Sequence, residues 1–262
     1  MIYKRMAARL KAQDWLAITI EIGIVVIGVF IGTQVSNWNA TRLEKVETER
    51  MIAQLAPNLD VLTKFYSSAR AYYATTKNYA DTAFAGWRGD PEVSDRDFVI
   101  AAYQASQTFG IGTNGSTFAA VLGSDNLRKI DDLDIRRDLS FLMTADYSIL
   151  DNASVNTPYR QNVRRLIPSE LQDAIRAQCG DRHPEDFRLY VFLPPTCDLQ
   201  IDPAEAARAG AILRAHSALM EDLQWHMAAQ ATLLQNLVGF EKHTADLQRR
   251  IGHSFSPSPR PR

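Results

Sequence analysis

The stretch from Asp14 to Trp38 limits what this chain can be more than any other part of it. Between Trp15 and Val35 only Thr19, Glu21, Thr33 and Gln34 are polar, and about 20 mostly apolar residues are enough to cross a hydrocarbon core of about 30 Å. Trp15 and Trp38 bracket the run. At 1.5 Å per residue they lie roughly 35 Å apart as a helix, the separation at which two indole rings reach the two interfaces. A buried helix of a soluble domain is the competing reading, but such helices rarely combine this length with a tryptophan at each end. A cleaved leader is the other. The run is longer than an ordinary signal core and contains Glu21, and Trp38 occupies the position where a cleavage site needs a small side chain. An uncleaved anchor over 14–38 is the expectation.

The flanks orient it. Lys4, Arg5, Arg9 and Lys11 precede the run with no acid before Asp14, whereas Arg42, Lys45 and Arg50 alternate with Glu44, Glu47 and Glu49. The excess of basic residues places residues 1–13 in the cytoplasm and the bulk of the chain on the other side. No second apolar run of this length occurs, so a single pass is expected.

One stripe of the span stands out. Glu21, Val25, Gly28 and Gly32, with Val35 beside them, recur at helical spacing. Gly28 and Gly32 form a small-xxx-small pair that lets two backbones approach. Glu21 costs up to about 2.5–3.5 kcal/mol in lipid, so its alignment with the glycines points to a helix–helix contact in which it is protonated or paired. The alternative is that Glu21 reaches back to the headgroups and the glycines are incidental.

The chain has 262 residues, 46% of them hydrophobic and 23% charged, with a net charge of −1. That suffices for the anchor and one ordinary globular domain. Without the basic leader the remainder is mildly acidic, which argues against nucleic acid as a partner. Cys179 and Cys197 both fall on the outer side, and an even count in an oxidising compartment favours a disulfide. Two free thiols and a metal held by Cys179, His183 and Cys197 remain alternatives; the latter offers three ligands at no standard spacing.

The remainder reads as helical. Ile52, Leu55, Leu59, Leu62, Tyr66, Ala69 and Tyr73 continue the first helix with alternating spacings of three and four, and Pro57 is expected to kink or end its first part. Gly86, Gly89, Asp90 and Pro91 close it. Ser94 with Asp97 opens a second helix running to about Thr108. Gly110 to Gly115 matches a dinucleotide-binding glycine pattern by letter, but no strand precedes it, so an interhelical loop is expected. Phe118 to Leu122 is a short helix. Asp132 or Asp134 caps another, and the acids and arginines around it read as a capped, solvated helix start. Pro158 starts or kinks a piece ending at Pro168, Ser169 caps the next, and 180–203 is the least helical part, with an extended piece over Arg188–Leu193. Asp202-Pro203 begins one long helix to about Ile251. Its buried face carries Leu219, Leu223, Met227, Leu234 and Leu237, with His216 and Gln230 on the same line and Trp225 and Phe240 packing on neighbours. The tail from 254 is proline-rich and expected to be disordered.

The run Glu21-Ile … Val25-Val26-Ile27-Gly28 … Gly32 … Gln34 … Asn37-Trp38-Asn39 resembles the anchor of an uncharacterised bacterial family of single-pass proteins. Their basic leader is short and their outer domain helical. Phe118 to Arg128 and the Asp134 helix are similar to that family's middle region. The resemblance implies a bacterial envelope location and carries no activity; the two-cysteine excursion departs from the pattern.

The expectations are then definite. The fold is all-α: a single N-terminal transmembrane helix followed by an elongated extracytoplasmic bundle, with the first and last long helices antiparallel. The segments are leader 1–13, span 14–38, outer domain 39–253 and tail 254–262. The chain sits in the bacterial inner membrane with its bulk in the periplasm. It acts without catalysis, cofactor or metal, through Glu21, Val25, Gly28 and Gly32, on a second copy or another membrane protein. A ligand-binding or sensory module working with a signalling partner is the alternative. No metalloprotease helix, nucleophile elbow or P-loop is present, and an enzyme would need a pocket joining an acid to His183 or His216.

Overall fold

The computed structural model describes residues 15–111, 123, 125–150, 156–185 and 190–254. The basic leader, most of the Gly110–Gly115 run, the Phe118–Leu122 helix and the tail beyond Ser254 lie outside the described residues. The protein is all-α, and the extended structure among the described residues is a single antiparallel bridge between Arg182 and Phe192. The chain divides into two compact units, Met1–Met51 and Ile52–Arg262.

Helix α1, Trp15–Trp87, contributes to both units. It passes through Pro57 without ending, so of the kink or end expected there the end does not occur. A proline inside a helix costs about 3 kcal/mol. Around it Ile52, Leu55 and Leu59 are fully buried, each contributing about 1.5–3 kcal/mol, which more than offsets that cost. Pro57 and Ala53, whose carbonyl loses its amide partner, both lie on the exposed side, where water replaces the lost hydrogen bond. After Trp87 the chain turns at Gly89, whose φ of +75° favours glycine. Gly86 serves a different purpose: a Cβ there would sit 2.2 Å from the Phe98 ring.

Helix α2, Asp95–Gln104, is the centre of the second unit and is buried continuously from Phe98 to Gln104. Ser94 caps it, accepting from the Asp97 amide at 3.1 Å while its hydroxyl donates to the Asp97 carboxylate at 2.6 Å. It ends at Gln104, short of the expected Thr108. Helix α3, Leu133–Thr144, is capped by Asp132, which accepts from the amides of Asp134 and Ile135. A 3₁₀ turn, Tyr147–Leu150, follows. Helix α4, Pro158–Leu166, starts at its proline as read. Helix α5, Ser169–Cys179, has Pro168 rather than Ser169 at its cap position.

The single C-terminal helix of the sequence reading is two: α6, Pro203–Ala215, and α7, Ala218–Ser254. Asp202 caps α6 through the amides of Ala204 and Glu205. The break at His216–Ser217 contains neither proline nor glycine. The His216 ring bonds the Ile212 carbonyl at 2.8 Å and satisfies the last turn of α6, while the Ser217 carbonyl accepts from Met220 to start α7.

Within the second unit α1 and α7 run antiparallel. Asp60 meets Gln248, Thr63 meets Thr244, Arg70 pairs with Glu241 and Thr76 meets Gln230, one partner number rising as the other falls. The same length of α1 holds the non-helical excursion after Cys179. Ser68 donates to the Val191 carbonyl, Tyr72 to Asp181, and Tyr79 to the Pro194 carbonyl. The Tyr73 hydroxyl both donates to and accepts from Phe109.

Candidate interaction site

The stretch of α1 in the first unit is an apolar cylinder whose large side chains are exposed. Ile20, Ile22, Ile24, Val25, Val26, Ile27, Val29, Phe30, Ile31 and Val35 are all more than half exposed. Soluble proteins rarely leave a contiguous apolar patch beyond a few hundred Å². This helix is long and apolar enough to cross a membrane, and its most apolar window is wholly unburied. Its polar groups are disposed for that environment: Thr33 donates to the Phe30 carbonyl and Thr41 to the Asn37 carbonyl, so these hydroxyls need no water. At the far end the Arg42 guanidinium lies 6.0 Å from the Trp38 ring centre, a cation over an aromatic face.

Glu21, Val25, Gly28 and Gly32 fall within an arc of roughly 60° on this cylinder at 100° per residue, and all four are exposed. A Cβ added to Gly28 or to Gly32 meets no atom within 4 Å. The groove is open at both positions.

The other sequence candidates are placed as follows. Cys179 and Cys197 form a disulfide with a Cα–Cα distance of 5.5 Å across a separation of 18 residues. Neither therefore offers a thiolate, and His183 sits against the Tyr190 carbonyl at 3.2 Å. Among the described residues no group of three or more His, Cys, Asp or Glu is placed to hold a metal ion. The acid–arginine cluster around Asp134 is occupied internally: Arg137 bridges Asp134 and Asp138, and Arg250 reaches both.

His216 is exposed rather than on the buried face of the C-terminal helices. A cavity of about 190 Å³ brings it together with Asp222, Asn162 and Arg165. Asp222 already accepts from Asn162 at 2.9 Å, and no serine, threonine or cysteine lines the space. A larger cavity of about 300 Å³ lies between α1, α2 and the disulfide. Asn78, Arg96, Asp97 and Asp198 form its polar wall and Ile100 and Ala101 its floor.

The buried histidine is one the sequence reading passed over. His226 on α7 is fully buried. Its Nε2 lies 3.1 Å from the Ala105 carbonyl and its Nδ1 2.7 Å from the Thr157 hydroxyl. A carbonyl only accepts, so Nε2 carries the proton and Nδ1 takes the hydroxyl hydrogen. Gln230 stands 2.9 Å from Nε2 and 3.0 Å from Thr76. With the amide oxygen toward the ring, its NH₂ reaches Thr76, which donates onward to the Tyr73 carbonyl. Every group is satisfied around a neutral imidazole. The cue in the sequence was Gln230 one helical turn beyond His226, a polar pair on an apolar face. Trp225 departs in the opposite sense: expected to pack on a neighbour, it is 66% exposed. Phe240 does pack, against Tyr66, Phe141 and Tyr147.

No family model, no curated protein and no solved structure matches this chain.

Proposed function

We propose that this is a non-enzymatic membrane-anchored accessory subunit of the bacterial envelope. Residues 1–13 are cytoplasmic, α1 spans the inner membrane, and the second unit stands in the periplasm. The single observation that carries the reading is the open groove at Gly28 and Gly32 in line with Glu21, on a helix whose large apolar side chains are exposed. In hydrocarbon an ionised carboxylate is costly unless it finds a partner, and a glycine groove gives a second helix close access. Its occupant is the transmembrane helix of another membrane protein or of a second copy. The disulfide fits an oxidising compartment, in agreement with the orientation set by the basic leader.

The test is photo-crosslinking from a probe at Val29 in native membranes, repeated with Gly28→Leu/Gly32→Leu. A defined protein adduct that disappears in the double variant is expected. Lipid adducts alone, unchanged by the substitutions, would remove the groove from the function.

A second reading, a ligand-binding module, is favoured by the cavity of about 300 Å³ beside the disulfide. Asp198 in its wall has no cation paired with it among the described residues, so a small amine is the ligand class to screen by thermal shift. No stabilisation by any such compound would retire this reading.

A further inference from the structure

The surface of α7 that faces away from α1 has an unusual composition. From Leu223 to Phe240 not one residue is charged, over roughly five turns of helix. A helix face meeting water normally carries its charges there. Here the exposed residues include Trp225, Ala228, Ala231, Thr232, Gln235, Val238 and Gly239.

Glu221, Trp225, Ala228, Thr232, Gln235, Gly239 and Lys242 are spaced alternately by four and three, and all are exposed. This is the repeat of a coiled-coil seam, lying on the side of α7 that the fold leaves uncovered. The inner side carries Leu223, His226, Gln230, Leu233 and Leu237, all buried.

We propose that this seam pairs with the same seam of a second copy, antiparallel, about a two-fold axis at Thr232. The order of side chains along it supports that arrangement. Centred on Thr232, the pairing sets Trp225 of one copy against Gly239 of the other. A Cβ on Gly239 would meet no atom within 4 Å, so the position is an open notch facing the largest knob on the seam. Ala228 then falls at the Gln235–Asn236 step, a small side chain against medium ones. At the ends Glu221 falls at the Lys242–His243 step, one residue from exact register with Lys242 and within reach of its long side chain. Both are exposed, and neither has an ion-pair partner within its own chain among the described residues. Parallel pairing would instead set Glu221 on Glu221, Lys242 on Lys242 and Trp225 on Trp225, with like charges at both ends and the notch unfilled. Opposite charges at the two ends and a knob matched to a notch make the face self-complementary in one direction only.

The seam is about 33 Å long at 1.5 Å per residue and about 10 Å across, roughly 300 Å² on each copy. A durable interface covers about 800 Å² per partner. The contact is therefore a reversible one that appears with concentration. It uses a different surface from the anchor groove and does not depend on that reading.

The experiment is sedimentation of the full chain in detergent micelles over a range of concentrations, in the native sequence and with Gly28→Leu/Gly32→Leu. The second background separates the seam from any association through the anchor. In that background the chain is expected to dimerise reversibly. Gly239→Leu adds an exposed side chain whose Cβ meets no atom of its own fold within 4 Å, so it should abolish the dimer while leaving the melting temperature unchanged or higher. Lys242→Glu should weaken the dimer about tenfold, and Glu221→Lys/Lys242→Glu should restore it, because each charge reversal acts twice across the axis. Under mild oxidation Thr232→Cys should link to itself and Gly239→Cys should not. A chain that stays monomeric at the highest concentration, a dimer indifferent to Gly239→Leu and to charge reversal, or self-linking through Gly239→Cys would each overturn the proposal.

Discussion

The environment of His226 makes the second unit acid-sensitive in a window that can be worked out. Burial pushes the imidazole down from 6.5 to about 4; the Ala105 carbonyl opposes that shift and the nearby Arg160 adds to it. The unfolded chain therefore binds a proton between these two values that the folded chain refuses, and stability must rise with pH across the interval. The contribution is fully present above about pH 6.5 and is lost as the pH falls toward 4. At 1.36 kcal/mol per unit, about 2.5 units amounts to about 3 kcal/mol, a large share of the 5–15 kcal/mol typical of a domain. Carboxylates act lower down. Asp60 is held below its usual value by Lys64, and Asp146 by the Ser148 hydroxyl and amide, so both lose their stabilising effect only beneath about pH 3.8. The assay is urea unfolding of the full chain in detergent at half-unit steps from pH 7.5 to 4.5, followed by tryptophan fluorescence. His226→Gln keeps a polar side chain at the position and removes the titration. The native chain should lose about 1 kcal/mol per unit below pH 6, and the variant should be flat there. A flat native profile, or the same slope in His226→Gln, would refute the assignment of a neutral buried ring.

Other consequences follow from single contacts. Gly86→Val drives a branched side chain into the Phe98 ring, where even a Cβ has 2.2 Å; a loss of about 2–3 kcal/mol is expected in urea unfolding. Replacing Cys179 and Cys197 by serine, or reducing the bond between them, frees a loop of 18 residues and should cost about 3 kcal/mol, with 180–202 the first segment to become protease-sensitive. Thr157→Val deprives the His226 Nδ1 of its donor and should cost about 1–3 kcal/mol, read as a lower melting temperature at pH 7. Trp87→Phe removes the indole donor to the Leu213 carbonyl, 3.1 Å away, and should cost about 1–2 kcal/mol by the same assay.

What could be read from the sequence, and what could not, divides along a physical line. Features set by neighbours along the chain were legible: the apolar span, the caps at Ser94, Asp132 and Asp202, the prolines that start α4 and α6, and the α1 face that buries Ile52, Leu55, Leu59 and Tyr66. Features set by partners distant in sequence were not. Pro57 signals a break by local rules, and the helix continues because Ile52, Leu55 and Leu59 are buried around it. The break at His216–Ser217 has no local breaker; it depends on a histidine ring reaching back one turn to a carbonyl. The two histidines exchanged roles for the same reason. His216 and His226 each lie on an amphipathic pattern, and only the Thr157 hydroxyl and the Ala105 carbonyl, both remote in sequence, decide which ring is enclosed. Trp225 shows the limit most clearly. A tryptophan on an amphipathic helix is ordinarily a core residue, and local pattern assigned it there. Leu223, His226, Gln230 and Leu237 already fill the inner side of α7, which leaves Trp225 on the outer side with Gly239 two heptads away. Composition alone marked the stretch from Leu223 to Phe240 as uncharged. Knowing which residues are covered turns that observation into a statement about a surface, and hence about what can dock on it.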